Sequence, residues 1–92
     1  MARILAIDFG EKRTGIAVTD ELQIIASGLT TVETKELLQF LKEYTSKQSV
    51  ELFIIGEPKQ MNNTVSKSEK HILPFLKSLE KQIPTIPILR VD

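Results

Sequence analysis

The sequence predicts a mixed α/β domain in which three antiparallel strands are followed by helix, strand, helix and strand. Three observations carry this reading. Residues 4–7 form an unbroken apolar run closed by Asp8 and Gly10, and after a short basic turn residues 16–18 are apolar again, the pattern of two strands folded back on each other. Residues 24–32 are rich in β-branched side chains and add a third strand. Beyond them the apolar spacing becomes helical, interrupted by two short apolar runs at residues 51–56 and 88–91. Strands first and alternation second give one mixed sheet with helices packed on its faces, and the strand-rich start separates the chain from a doubly wound nucleotide-binding fold.

The chain has 92 residues, which fits one domain spanning 1–92. Its hydrophobic share of 41% is enough for a modest core. Twelve basic and twelve acidic residues cancel, so the overall charge exerts no pull on nucleic acid and any such binding needs a local patch. Without cysteine there is neither a disulfide framework nor a thiolate metal site. The start, Met1-Ala2-Arg3, runs straight into a strand-like run and is not expected to act as a signal peptide, and no apolar run approaches membrane-spanning length. A cytoplasmic protein without membrane contact is the expectation.

Each element has its own local warrant. Asp8 ends the first strand, a place that is rigid yet open to solvent. Gly10 leaves no side chain beside it, so a phosphate or a metal-bound oxygen has room to approach the backbone; the plainer alternative is that both residues only make a turn. Lys12 and Arg13 fall in that first turn, and Asp20-Glu21 marks the second. Gly28 inside the third strand is the place for a bulge. Thr34 suits a helix cap and Glu36 the first turn, after which Leu37, Leu38, Leu41 and Tyr44 share one helical face. Residues 51–56 are apolar without alternation and stop at Gly56, the pattern of a strand covered on both faces. A polar loop follows, and Ser66 with Glu69 fits a capping box. Val65, Ile72, Leu76, Leu79 and Ile83 line the buried face of the second helix, which Pro74 should kink or break. Residues 84–87, with prolines at both ends, close it, and the last strand begins near Ile86.

Three acids stand at expected strand ends: Asp8 after the first, Glu57 after the fourth and Asp92 after the fifth. If the first strand lies beside the fourth and the fifth follows, the three converge at one edge of the sheet. Carboxylates grouped in this way suit Mg²⁺ or Mn²⁺, and two such ions about 3.5–4 Å apart activate water and stabilise the leaving oxygen of a phosphodiester. Asp8 and Asp92 are the expected metal ligands and Glu57 the third catalytic acid. For Glu57 the alternative is a solvated loop acid before Pro58, and for Asp92 a mere chain terminus. Lys12, Arg13, Lys59 and Arg90 gather near the same strand ends and are expected to hold a phosphate backbone, with solvated loop charges as the plainer reading. His71, the single histidine, has no neighbour at metal-ligand spacing and reads as a surface or packing residue.

These residues carry a resemblance. Ile7-Asp8-Phe9-Gly10 with Arg13-Thr14-Gly15-Ile16-Ala17 resembles the opening of the YqgF (RuvX) family. Ile55-Gly56-Glu57-Pro58 with Met61-Asn62 resembles its second motif, and Arg90-Val91-Asp92 the start of its third. The resemblance covers the whole chain. It implies an RNase H-like fold and a metal-dependent nuclease acting on structured RNA or branched DNA, in Holliday-junction resolution or in maturation of the 5′ end of precursor 16S rRNA. It leaves room for a homodimer, since resolvases that cut symmetric junctions often work in pairs. The family continues past the third motif with a helix that carries another acid, so the chain as given is expected to lack part of the fold and to be inactive by itself. Many relatives have an apolar residue where Glu57 stands. Two other readings remain: an ATP-binding fragment of the actin-like and sugar-kinase class, whose first phosphate loop is also a strand, Asp-x-Gly, turn and strand, and a nucleic-acid-binding module without chemistry.

Overall fold

The computed structural model describes residues 2–20, 22–23, 26–56 and 67–91, and the side chains of all of these except 26 and 67–71. Strands β1 (Arg3–Asp8), β2 (Arg13–Thr19) and β3 (Ala26–Glu33) come first. A single 3₁₀ turn (Thr34–Glu36) leads into helix α1 (Leu37–Lys47), and β4 (Val50–Gly56), α2 (Lys67–Gln82) and β5 (Ile88–Val91) follow. The strands form one sheet in the order β3-β2-β1-β4-β5. The pairs β1–β2 and β2–β3 are antiparallel, while β4 runs parallel to both β1 and β5. The first strand is therefore central, as the convergence of strand ends requires.

Alternation along the strands sorts the two faces of the sheet. Leu5 and Ile7 of β1, Ile16 of β2, and Phe53 and Ile55 of β4 are buried on one face. Leu37 and Leu41 from α1, Ile72 and Leu79 from α2, and Ile83 just beyond it complete the same core. Both helices thus cover one face, and each side chain fully buried there contributes about 1.5–3 kcal/mol. Leu38, Tyr44 and Leu76, expected in the buried stripes, pack at the edge of this core.

The other face carries Ala6 and Asp8, Gly15 and Ala17, and Ile54 and Gly56. Ala6 pairs with Ala17 and Ala17 with Gly28, so a row of minimal side chains crosses three strands and lowers the floor of the sheet. Above it lies an open trough of about 700 Å³, also lined by Leu29 and Val91. No described helix covers this face. Residues 51–56 were expected to be covered on both sides; Leu52 and Ile54 are instead only half-buried, because both described helices pack on the side of Phe53 and Ile55.

Other local expectations also change. The bulge lies where Gly28 marks it: Ile16 pairs with Thr30 and Ala17 with Gly28, which leaves Leu29 as the extra residue. Thr34 does not cap α1, since neither the 3₁₀ turn nor α1 has a side-chain cap bond. Its hydroxyl donates to the Gly10 carbonyl instead, at 2.7 Å. Arg13 opens β2 opposite Glu33 rather than lying in the turn, because the hairpin is tighter than the sequence suggests. The last strand begins at Ile88, two residues after Ile86. Helix α2 runs unbroken through Pro74. That proline is exposed, so its ring is on the solvent side of the helix and not in the core. The proposed cap Ser66 and the residue Val65 lie outside the described residues.

Candidate active site

Asp8 is the last residue of β1 and the first of that strand's outward-facing side chains to be exposed. It pairs with Gly15 on β2. On the other side Ile7 pairs with Ile55, so the end of β1 is level with Gly56 at the end of β4, and Gly56 pairs in turn with Val91 of β5. Three parallel strand ends therefore meet at one edge of the sheet, with Asp8 in the middle one's neighbour and at the mouth of the trough. A β-carbon placed on Gly15 would lie 3.8 Å from that of Asp8, and one on Gly56 would have nothing within 4 Å. Glycine on either side leaves the carboxylate approachable.

Gly10 plays a different part from the one expected. A β-carbon built there would collide with the carbonyl oxygen of Arg13. The space beside Gly10 is filled by the chain's own backbone, so glycine is required for the close turn and not to admit a ligand. Phe9, between Asp8 and Gly10, is buried, and its ring packs against that of Phe75 at 5.5 Å between centroids. Residues 9 and 10 are thus anchored inside while Asp8 faces out.

A second tie holds the same loop. The Thr34 hydroxyl donates to the Gly10 carbonyl and lies 2.9 Å from the hydroxyl of Thr14, which is 0% exposed. The Thr34 N–H donates to the Lys12 carbonyl at 2.9 Å. Thr14 is the one buried polar side chain among the described residues, and its hydroxyl is satisfied here. Sequence reading saw Thr34 only as a cap, since a threonine just before a helical stripe is the usual cap signature and its real partners are remote in sequence.

The basic residues divide. Lys12 and Arg13 are exposed and line a concavity together with Glu11, Glu33 and Lys35, where Lys35 and Glu33 form an ion pair at 3.5 Å. Arg13 lies two residues before Gly15 on β2 and so shares the face of Asp8. Arg90 does not: it pairs with Ile55, whose side chain is on the helix-covered face. The short strand β5 has no phase of its own to read from sequence, and its pairing with β4 sends Arg90 to the opposite side. Glu57, Lys59 and Asp92 lie outside the described residues, as does the side chain of His71. Among the described residues no three His, Cys, Asp or Glu side chains come together as a metal cluster.

Residues 2–92 match the family described as "RuvX: Holliday junction resolvase". This chain belongs to the RuvX family. Curated relatives named "Putative pre-16S rRNA nuclease" are similar over its whole length: 59% identical in Christiangramia forsetii, 60% in Bacteroides fragilis and 55% in Flavobacterium johnsoniae. The RuvX-family chain spans about two thirds of these relatives, covering 68%, 67% and 67% of their lengths. Among solved structures, YeaZ from Pseudomonas aeruginosa aligns over 100% of this chain and 43% of its own, with 16% identity and a TM-score of 0.48, a likeness too slight to bear on function. Family membership gives the RNase H-like fold class and the hydrolytic nuclease class, and favours nuclease over an ATP-binding fragment. No helix among the described residues is long and apolar enough to cross a membrane.

Proposed function

We propose that the protein hydrolyses phosphodiester bonds of structured nucleic acid with Asp8 as a carboxylate ligand for Mg²⁺ or Mn²⁺. The observation that carries this is the placement of Asp8: exposed, at the end of the central strand, between two glycine-lined strand ends and at the mouth of an open trough. A carboxylate is the hard oxygen donor such cations prefer, and Mg²⁺ keeps much of its water shell, so the room beside Gly15 and Gly56 suits a hydrated ion. Glu57 and Asp92 follow directly after Gly56 and Val91 in the chain, and we assign them as the further carboxylates. When bound, the ion supplies Lewis acidity and a more acidic water. The protein's own residues aim the carboxylate, keep the approach free of side chains, and offer positive charge from Lys12 and Arg13 to flanking phosphates. Lys59 belongs to the same proposal as a further cation close in sequence to Glu57, whereas the position of Arg90 on the helix side supports a packing role. A cytoplasmic site of action accords with nucleic-acid substrates.

The relatives' name favours a 16S rRNA precursor as substrate, and the family description a four-way DNA junction. The deciding experiment assays both with Mg²⁺ and with Mn²⁺, using a version of the protein extended to the length of its relatives and the Asp8→Asn variant of that version. Cleavage of one substrate that collapses in the variant, with the fold intact, supports the proposal and names the substrate. Activity unchanged in Asp8→Asn removes Asp8 from the chemistry. Binding without cleavage by the extended parent returns the non-catalytic module.

A further inference from the structure

We propose that Thr34 is a positioning residue for Asp8, acting through a directed pair of hydroxyls that fixes the loop just after it; its consequence for metal binding rests on the role of Asp8 proposed above. The direction of the hydrogen bonds follows from proton counting. The Gly10 carbonyl has no proton to give, so the bond of 2.7 Å takes the single proton of the Thr34 hydroxyl. The Thr14 hydroxyl, 2.9 Å away, must then be the donor to Thr34. The order is Thr14 to Thr34 to Gly10, each hydroxyl having one possible role. Thr14 is fully buried on β2, so the relay starts from a fixed point in the core.

The same residue acts twice on the loop. Its side chain holds the carbonyl of Gly10 and its backbone N–H holds that of Lys12. Two carbonyls two residues apart, both tied to the start of the 3₁₀ turn, leave the loop little freedom. Phe9 in the core closes the clamp from the other side, against Phe75. Asp8 is the next residue back along the chain, outside the core, where its backbone pairs with Gly15 on one side and runs into the clamped loop on the other. Its direction is therefore set by that pairing together with the placement of Phe9 and Gly10. Lys12, whose side chain is exposed, is presented by the same clamp, which ties the aim of the carboxylate to the placement of a phosphate-binding charge.

Thr34→Val tests this, because valine keeps the shape and the backbone bond but removes the hydroxyl. Thr34→Ser is the conservative partner, keeping the hydroxyl and losing the methyl. The first readout needs no metal: backbone ¹⁵N relaxation of residues 9–12. Thr34→Val should mobilise these amides and Thr34→Ser should leave them as in the parent. The second is Mn²⁺ broadening of the Gly15 and Gly56 amides, where Thr34→Val should weaken the apparent affinity about fivefold to tenfold, the value of one lost hydrogen bond. Thr34→Ser should stay within about twofold of the parent. If Thr34→Val does not fold, Thr14→Val replaces it: it leaves the Thr34 donor but removes its orienting partner, and a smaller shift of the same sign is expected.

An unchanged loop in Thr34→Val overturns the inference. So does an equal loss in Thr34→Ser, which would mean that the methyl packing matters and the hydroxyl does not. A loosened loop with undiminished Mn²⁺ affinity shows that the clamp holds the loop without aiming Asp8, and also overturns it. If the parent itself shows no Mn²⁺ effect at these glycines, the metal role of Asp8 fails instead, and the relaxation data alone decide whether Thr34 sets the loop.

Discussion

The two faces of the sheet are built from the same strands, and one residue of translation along a strand moves between them. On the helix side Leu5, Ile7, Phe53 and Ile55 are buried and large. On the other side their neighbours Ala6, Asp8, Ile54 and Gly56 are small, charged or half-exposed. The contrast shows how a single strand such as β1 serves stability and a reactive site together, by giving alternate residues to each. It also explains why the charged residue stands at the strand's end. A carboxylate earlier in the outward row would sit amid Ala6, Ala17 and Gly28 over an apolar floor, whereas at the end it meets water.

The sharpest way to break this contrast is to truncate adjacent residues on β4. Phe53→Ala should cost about 3–5 kcal/mol in denaturant unfolding, since it empties a fully buried site. Ile54→Ala, one position along and facing the trough, should cost about 1 kcal/mol or less. Comparable losses would mean that the trough is filled and the two faces are alike. In the version extended to the length of its relatives, Asp8→Asn should separate stability from chemistry: cleavage falls at least about a hundredfold while unfolding free energy shifts by about 0.5 kcal/mol or less.

The glycines offer a finer version of the test. Gly10→Ala should destabilise by about 1–3 kcal/mol, because its β-carbon runs into the Arg13 carbonyl. Gly56→Ala meets open space and should change stability by about 0.5 kcal/mol or less, so thermal melts of the pair tell a glycine required by the fold from one that leaves room. The smallest effect is expected at the rim. Replacing Lys12 and Arg13 with Gln should flatten the salt dependence of nucleic-acid binding by about one phosphate contact per residue, measured by titration at several ionic strengths.

Much of this was legible in the sequence because it is local. The apolar run ending in Asp8, the glycine inside β3 and the stripe of Leu37 and Leu41 all state their structure within a few residues. What could not be read depends on partners far along the chain. Thr34 presents a cap signature, but the Gly10 carbonyl outcompetes the helix end for its hydroxyl. Arg90 seemed to belong with the strand-end acids until pairing with Ile55 set the phase of a strand too short to show alternation. Residues 51–56 are apolar at every position but one, so no periodicity tells which face of β4 the described helices cover. The open approach beside Asp8 is made by Gly15 and Gly56, and only the register reveals that these two glycines flank one carboxylate.

The sheet order has a consequence for the time course of folding. The strands β1, β2 and β3 pair with their neighbours in sequence, whereas the partnership of β1 with β4 joins segments separated by two strands and a helix. Closing the short loops sacrifices less chain entropy than closing the long one, so the meander is expected to form ahead of the β1–β4 ladder. The Asp8–Gly15 half of the site would then exist as a hairpin before the Gly56 half arrives. Pulse-labelled hydrogen exchange should show protection at Ile16 and Val18 before Phe53 and Ile55; simultaneous protection would mean that the central strand recruits both neighbours in one step.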